Sequence, residues 1–393
     1  MSSLSDVLTT RSAGYWGVEA GGAEVDAKAI RNGDVGTSGE LRWRALPWRG
    51  YTAREFTKAR VHAGDIVLTT SGNCGNVAYV GIEPEDPTVA TNFVRVLRTD
   101  PTVTDSRYVF HFLRTPTFAS AIAPFVRGAT IKNLAVESAF AAINIPLPPL
   151  SEQRRVAAIL DHAEAICTKR RQVLAHLDSL TGAVFQEMFR DAPGTTPMSA
   201  VVEEFRYGTS NKSGDSGYPA LRIPNVVGGA IDTDEIKTVL VEPAELRRLT
   251  LREGDLLFVR TNGNQDNVGR SAIFSEAAVK SAGFEDLPWI YASYLIRARL
   301  SDEIEPQFVA GYLATPAGRE QLRERSKTSA GQYNINTEAL GSIRLPTAPP
   351  AAQQEFASRV DVIEEKRKQV SAAGSADAEL FASLQSHAFR GEL

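Results

Sequence analysis

The chain has 393 residues, with 43 Lys+Arg against 47 Asp+Glu for a formal net charge of −4, and 43% of it is hydrophobic. That length carries two or three domains with real cores, and that balance excludes both a disordered chain and a uniformly basic nucleic-acid coat. No run approaches the ~18 apolar residues of a membrane span, and Met1-Ser-Ser-Leu-Ser-Asp-Val lacks the regions of a signal peptide. Cys74 and Cys167 are far apart and in no CxxC pair, as expected for free thiols of a reducing cytoplasm.

Residues 1–145 read as a mixed α/β domain. Arg42-Trp43-Arg44, Trp48-Arg49, Tyr51, Arg54, Phe56, Lys58 and Arg60 form a basic stretch with interleaved aromatics. Gly64-Asp65 is a turn into a buried strand, Ile66 to Thr70. The loop Ser71-Gly-Asn-Cys-Gly-Asn76 precedes a second strand from Val77, and Tyr108 to Leu113 reads as a short helix ending near Thr115-Pro116. Arg127-Gly-Ala-Thr-Ile-Lys-Asn133 is a polar loop.

At Ile145-Pro-Leu-Pro-Pro-Leu-Ser-Glu-Gln-Arg-Arg155 the prolines forbid helix, and Ser151 is the expected N-cap of a helix running to about Phe189. Val156, Ile159, Ala163, Ile166, Arg170, Val173, Leu177, Leu180 and Val184 alternate three and four apart, a coiled-coil seam broken by Arg170. Such a helix spans roughly 55 Å and needs a partner. The partner lies near the C-terminus: the chain repeats itself at an offset of about 200 residues, a tandem duplication rather than a solenoid. Gly254-Asp255 answers Gly64-Asp65, Gly263-Asn-Gln-Asp-Asn-Val268 answers Gly72 to Val77, and Thr315-Pro316 answers Thr115-Pro116. Gln353 answers Gln153 at the second helix. There Thr347-Ala-Pro-Pro350 replaces the first proline-rich lead-in, and Ala372-Ala-Gly-Ser-Ala376 is expected to kink or interrupt the helix.

No catalytic constellation stands out. Asp232, Asp234 and Glu235-Ile-Lys237 match a nuclease-like carboxylate spacing too short to outweigh chance, the five histidines are scattered, and no phosphate-binding glycine loop occurs. DNA recognition suits what remains. Arg42, Arg44 and Arg49, with Trp43 among them, form a basic-aromatic stretch that offers phosphate neutralisation. Asn and Gln, which can read adenine, sit in glycine-bounded loops: Asn73 and Asn76, beside Ser71, in one repeat, Asn262, Asn264, Gln265 and Asn267 in the other. Lys132, Asn133, Arg222, Asn225, Arg260, Arg270, Lys327, Gln332, Tyr333 and Asn334 complete the candidate set. The bland alternative for each is a turn amide with a local bond or a solvated charge.

The proline-rich lead-in to the central helix, the duplicated plan and the ending Ala388-Phe-Arg-Gly-Glu-Leu393 resemble the specificity subunit of type I DNA restriction–modification enzymes. The resemblance implies an α+β fold: two similar mixed α/β target-recognition domains, 1–145 and 191–345, joined by two long helices, 146–190 and 346–393, in an antiparallel coiled coil with a pseudo-twofold internal repeat. It implies a non-catalytic subunit for phage defence, each recognition domain reading half of a bipartite double-stranded DNA site. The chain would bind no cofactor itself; S-adenosylmethionine, and ATP with Mg, would sit on partner subunits. Those partners are two adenine-N6 methyltransferase subunits and, in full complexes, restriction/translocase subunits. Arg154, Arg155, Lys169, Arg171, Glu364 and Lys368 lie off the seam and are the expected subunit-docking residues. The rivals are a methylation-only or other defence assembly, a coiled-coil adaptor that reads no DNA, and a self-sufficient nuclease or methyltransferase.

Overall fold

The computed structural model describes residues 1–227, 229–284, 286–329 and 331–393. The chain divides into two compact units, Met1–Arg171 with Ala372–Leu393, and Gln172–Ser371. Packing therefore groups each globular part with half of each long helix, Leu150–Phe189 and Pro350–Arg390, instead of setting the helices apart.

In the first unit the central sheet has four antiparallel strands in the order Leu8–Ala13, Val94–Thr99, Ile66–Thr69, Val77–Tyr79. Ile66–Thr69 is buried throughout, as an apolar run covered on both faces must be. On one face lie the short helices Ser106–Phe112 and Pro116–Ile122 with Val156, Ala157 and Leu160 of the central helix and Ala388 of the C-terminal one. The other face packs with a smaller sheet built around Val25–Ile30 and Trp48–Tyr51.

The second unit repeats this order with Val202–Tyr207, Leu295–Leu300, Leu256–Val259 and Ser271–Ile273. Its helix-facing core takes Phe185, Phe189 and Phe356 from the long helices. Each globular part is closed by pairing its ends, Ser2–Ser3 with Asn144–Ile145 and Thr195–Pro197 with Arg344–Pro346, so the stretch Asp191-Ala-Pro-Gly-Thr-Thr-Pro197 that follows the central helix is partly strand.

The repeated Gly-Asp turns acquire a reason here. Gly64 and Gly254 sit at φ +90° and +83°, where glycine is the natural residue. The aspartate after each is buried against an arginine of the neighbouring strand. Arg98 donates from Nε and Nη2 to Asp65 at 2.7 and 2.9 Å, and Arg299 to Asp255 at 2.9 and 2.6 Å.

The central helix starts at Leu150, earlier than a Ser151 cap allows. The Pro149 carbonyl accepts from the amides of Glu152 and Gln153 at 2.9 and 3.1 Å, and Pro349 does the same for Ala352 and Gln353 at 3.0 and 3.1 Å. Both long helices thus begin with one geometry despite their different sequences. Gln153 is fully buried. Its Oε1 accepts from the Asp105 amide, and its Nε2 donates to the carbonyls of Val103 and Pro148. Gln353 repeats this with the Glu305 amide and the Ala348 carbonyl. Gln153→Ala takes the partner from one amide and two carbonyls in a part-buried setting, so a loss of about 1–3 kcal/mol is expected in urea unfolding of the whole chain; a change within error would make the glutamine incidental.

Two helix expectations are corrected. Ile166 and Val173 are 40% and 46% exposed, and the less exposed stripe runs one residue later, through Cys167 and Leu174. A straight helix drifts about 20° per heptad, so which of two adjacent apolar residues turns inward is decided by what packs there. The C-terminal helix is unbroken through Gly374. Glycine inside a helix costs only about 1 kcal/mol and its alanine neighbours are strong helix formers. Arg170 uses the space: its Cδ lies 3.4 Å from where a Gly374 Cβ would be, and its Nε donates to Asp377 at 2.5 Å. Antiparallel pairing follows in each unit, from Arg155 donating to the Leu393 carbonyl in the first and Phe185 against Phe356 in the second.

Candidate nucleic-acid interface

The same backbone wiring brings polar loops together in both units. At the end of Ile66–Thr69, the Thr70 amide donates to the Phe93 carbonyl and its carbonyl accepts from the Leu134 amide, both at 2.9 Å. Ser71 bridges Asn133, and the Gly72 amide donates to the Lys132 carbonyl at 2.8 Å. In the second unit Arg260 stands in Thr70's place, its amide on the Tyr294 carbonyl and its carbonyl taking the Ile335 amide, again at 2.9 Å. Thr261–Asn262, Gln332–Asn334 and Lys327–Ser329 then form a three-stranded sheet.

Thus Ser71, Asn73, Asn76, Lys132 and Asn133 converge in one unit, and Arg260, Asn262, Lys327, Gln332, Tyr333 and Asn334 in the other. In the first, the loops border a cleft of about 640 Å³ lined by Asn73, Cys74, Asn76, Arg114 and Lys132 among others. Burial pushes the Cys74 thiol above its ordinary pKa, so the thiol form dominates at neutral pH. Lys132 and Lys327 are exposed and form no ion pair among the described residues.

Many amides in these loops are spent on loop shape. Asn262 Oδ1 accepts from the Asn264 amide and from Asn267 Nδ2 at 2.9 and 3.1 Å. Asn264 Oδ1 accepts from the Asp266 amide. Gln265 Nε2 donates to the Arg323 carbonyl and Ser326 hydroxyl, each at 3.0 Å. Gln332 Oε1 accepts from Thr261, while Asn133 and Asn334 donate to the carbonyls of Ile131 and Gln332. The side-chain amides of Asn73 and Asn76 have no such partner among the described residues.

Asn225 is corrected outright. It is 2% exposed; its Oδ1 accepts from the Arg222 amide and its Nδ2 donates to the carbonyls of Asp232 and Glu235. Nothing is left to read a base, and Arg222 itself pairs with Glu235 at 3.3 Å. The first unit has a related turn, in which the Arg31 amide donates to Asp34 Oδ2 and the Arg31 guanidinium pairs with the same carboxylate; no sequence signal had singled it out. Ser71 is also buried, at 6%, and contributes through its backbone.

The basic-aromatic stretch does not form one face. Arg42 and Arg44 are exposed, but Trp43 packs against the second core of its unit and Arg60 pairs with Glu83 at 3.5 Å. Arg49 instead stacks over Trp16, its guanidinium carbon 5.4 Å from the ring centroid. Arg270 is exposed. Sequence reasoning missed the exposed rings of Trp16, Phe93, Tyr207 and Tyr294, since aromatics are ordinarily buried.

On the long helices Arg154, Arg155, Lys169, Arg171 and Lys368 are exposed, while Glu364 is half-buried and held by Arg367 at 3.0 Å. Arg155 is tied to Glu152 at 2.7 Å as well as to the Leu393 carbonyl. The ligand atoms of His111, Asp161 and Glu164 come within 4.8 Å of one another. Arg107 pairs with Asp161, and Arg114 with Glu164 at 2.5 Å, so the cluster is an ion-pair network. Burial would raise the Asp161 carboxyl, but hydrogen bonds from His111 and Arg107 hold it below the ordinary aspartate range.

Comparison with known proteins agrees with this architecture. Residues 51–176 match the model of the type I restriction modification DNA specificity domain. The chain is 31% identical over 360 residues to the type I restriction enzyme EcoKI specificity subunit of Escherichia coli K12, covering 85% of this chain and 76% of that one. It is 28% identical to the StySPI specificity subunit of Salmonella potsdam over 73% of this chain and 65% of that one. Its fold is similar to the S subunit of a type I restriction-modification system from M. genitalium, with a TM-score of 0.57 and 13% identity over 98% of this chain and 95% of that one. A chain from a type I R-M assembly gives 0.53 at 17% identity over 100% and 97%. With the duplicated domains and paired helices already in place, the chain belongs to the type I restriction enzyme specificity subunits.

Proposed function

We propose that this chain reads DNA without catalysing a reaction, as the specificity subunit of a type I restriction–modification complex in the cytoplasm. Each globular domain, 1–145 and 191–345, contacts one half of a bipartite double-stranded site. The long helices, 146–190 and 346–393, set the unread gap. The observation that carries this is the identical wiring of two polar loop clusters, Thr70 with Phe93 and Leu134, Arg260 with Tyr294 and Ile335. One scaffold used twice with different exposed side chains suits two half-sites of different sequence.

Asn73, Asn76, Lys132 and Arg42 in the first domain, and Lys327, Gln332, Tyr333 and Arg270 in the second, supply phosphate and base contacts. The exposed charges Arg154, Lys169, Arg171 and Lys368, with Arg155 and Glu364, dock two adenine-N6 methyltransferase subunits. S-adenosylmethionine belongs to those subunits, and ATP with Mg to the restriction subunits of a full complex. Among the described residues no helix is long and apolar enough to cross a membrane, which is compatible with this placement.

The test is to sequence the methylated motifs of a methylation-deficient host that expresses the modification subunit with or without this chain. A split adenine-methylated motif should appear only with it. Replacing residues 1–145 by another recognition domain should change one half of the motif and leave the other. Methylation without this chain, or a swap that altered both halves, would contradict the proposal.

A further inference from the structure

Each unit holds an arginine over an exposed ring near the turn that leads into the strand Val94–Thr99 or Leu295–Leu300. The turns are equivalent: the Val94 amide donates to the Thr91 carbonyl and the Leu295 amide to the Ala292 carbonyl, each at 2.9 Å. They project Phe93, 39% exposed, and Tyr294, 59% exposed. A glycine packs under each. A Cβ on Gly14 would lie 1.9 Å from the Ala90 carbonyl oxygen, and one on Gly208 2.2 Å from that of Tyr291. In the first unit Trp16 meets Phe93 edge-on at 5.9 Å, and Arg49 lies over Trp16 at 5.4 Å. In the second, Arg260 lies over Tyr207 at 4.8 Å. The two arginines come from different positions in the repeat: Arg49 is joined to its turn through Trp16 and Phe93, Arg260 directly through the Ser293 carbonyl.

Their hydrogen bonds leave each a two-donor edge, though not the same one. Arg49 donates from Nε and Nη2 to the carbonyls of Trp16 and Gly17, at 3.4 and 3.3 Å, which leaves the Nη1–Nη2 edge. Arg260 donates from Nη1 to the Ser293 carbonyl at 3.3 Å, which leaves the Nε–Nη2 edge. Neither has a carboxylate partner among the described residues, unlike Arg98 and Arg299 on the neighbouring strands. A guanidinium lying over a ring and tied to backbone carbonyls is restricted in orientation and has two parallel donors to offer. That is the geometry that reads the O6 and N7 of guanine in the major groove.

We infer that Arg49 and Arg260 are specificity-determining residues, one per recognition domain, each reading a guanine in its own half-site, and that Trp16 and Tyr207 are positioning residues that hold them. This rests on the DNA-reading role proposed above.

The experiment uses the complex of this chain with its modification subunits. Methylated motifs are sequenced for the wild type, Arg49→Ala, Arg49→Lys, Trp16→Ala and Arg260→Ala, and binding is measured on duplexes carrying single-base changes. Arg49→Ala should relax one guanine in one half and leave the other half fixed, which also reports that the chain is folded and assembled. Arg260→Ala should do the reverse. Trp16→Ala should relax the same position as Arg49→Ala. In the binding assay, replacing that guanine should weaken the wild-type complex about 5- to 150-fold, a penalty that disappears in Arg49→Ala even if methylation is lost altogether. Arg49→Lys should not restore it, because lysine lacks the two-donor edge. Rescue by lysine would identify a phosphate contact and overturn the inference, as would unchanged motifs in the alanine variants or a penalty that survives them. A wild type that directs no split motif would instead overturn the DNA-reading role itself.

Discussion

Replacing Asp255 by alanine is expected to destabilise the second unit by about 3–5 kcal/mol, the range for removing one partner of a buried ion pair. The Asp255 side chain is 2% exposed and that of Arg299 17%. The carboxylate takes both guanidinium donors and also the Arg252 amide at 2.8 Å, so it shapes the Gly254 turn as well as neutralising a charge. Burial pulls the Arg299 guanidinium down, but the bond and charge of Asp255 override this and leave it above its ordinary value. Arg297 lies on the same strand, 1% exposed and paired with Glu204. Without Asp255, three arginines, Arg206, Arg297 and Arg299, would share that one nearby carboxylate. Thermal unfolding should drop by on the order of 10 °C for a unit of this size. Asp65→Ala should cost less, because Arg98 is 31% exposed and water can replace part of what is lost. Equal effects, or no shift for Asp255→Ala, would refute the burial argument.

Phe356→Ala should cost a similar 3–5 kcal/mol, through an unfilled cavity rather than a stranded charge. Phe356 is fully buried, edge-on to Phe185 at 5.2 Å and to Phe189 at 5.8 Å. It occupies the space that Gly311 leaves: a Cβ there would stand 2.6 Å from its ring. The other repeat has the opposite assignment, His111 opposite Gly311 and Val156 opposite Phe356 in the sequence register, so bulk has moved from one helix to the other. Gly311→Ala should therefore destabilise the wild type by about 1–3 kcal/mol and cost much less in the Phe356→Ala background. A double-mutant cycle from urea unfolding measures this directly; additive losses would show that the two positions do not share the space.

Much of the architecture was legible because its causes are local. Prolines stop a chain from being helical wherever they fall, so Pro146 to Pro149 announced the central helix. Gly64-Asp65 and Gly254-Asp255 announced turns before buried strands, and the recurrence of such marks at a fixed offset exposed the duplication. The helix start was not legible in the same way, since the carbonyl of Pro149, not the hydroxyl of Ser151, receives the first amides. Nor was continuity through Gly374, where a local weakness is offset by Arg170 filling the gap and pairing with Asp377.

The candidate site was legible only in outline. The polar segments named from the sequence do come together in each unit, but composition does not say whether an amide is free. Asn225 and Asn73 look alike in sequence, and one is sealed inside a clamp while the other stands in solvent. Trp16, Phe93, Tyr207 and Tyr294 carried no signal, because exposure of a ring depends on strands distant in the chain. The sequence by itself determined the repeated plan and the long helices, which follow from short-range sterics and apolar periodicity. Only the tertiary structure decided which donors and rings remain available to a partner, because that depends on long-range contacts that consume all the others.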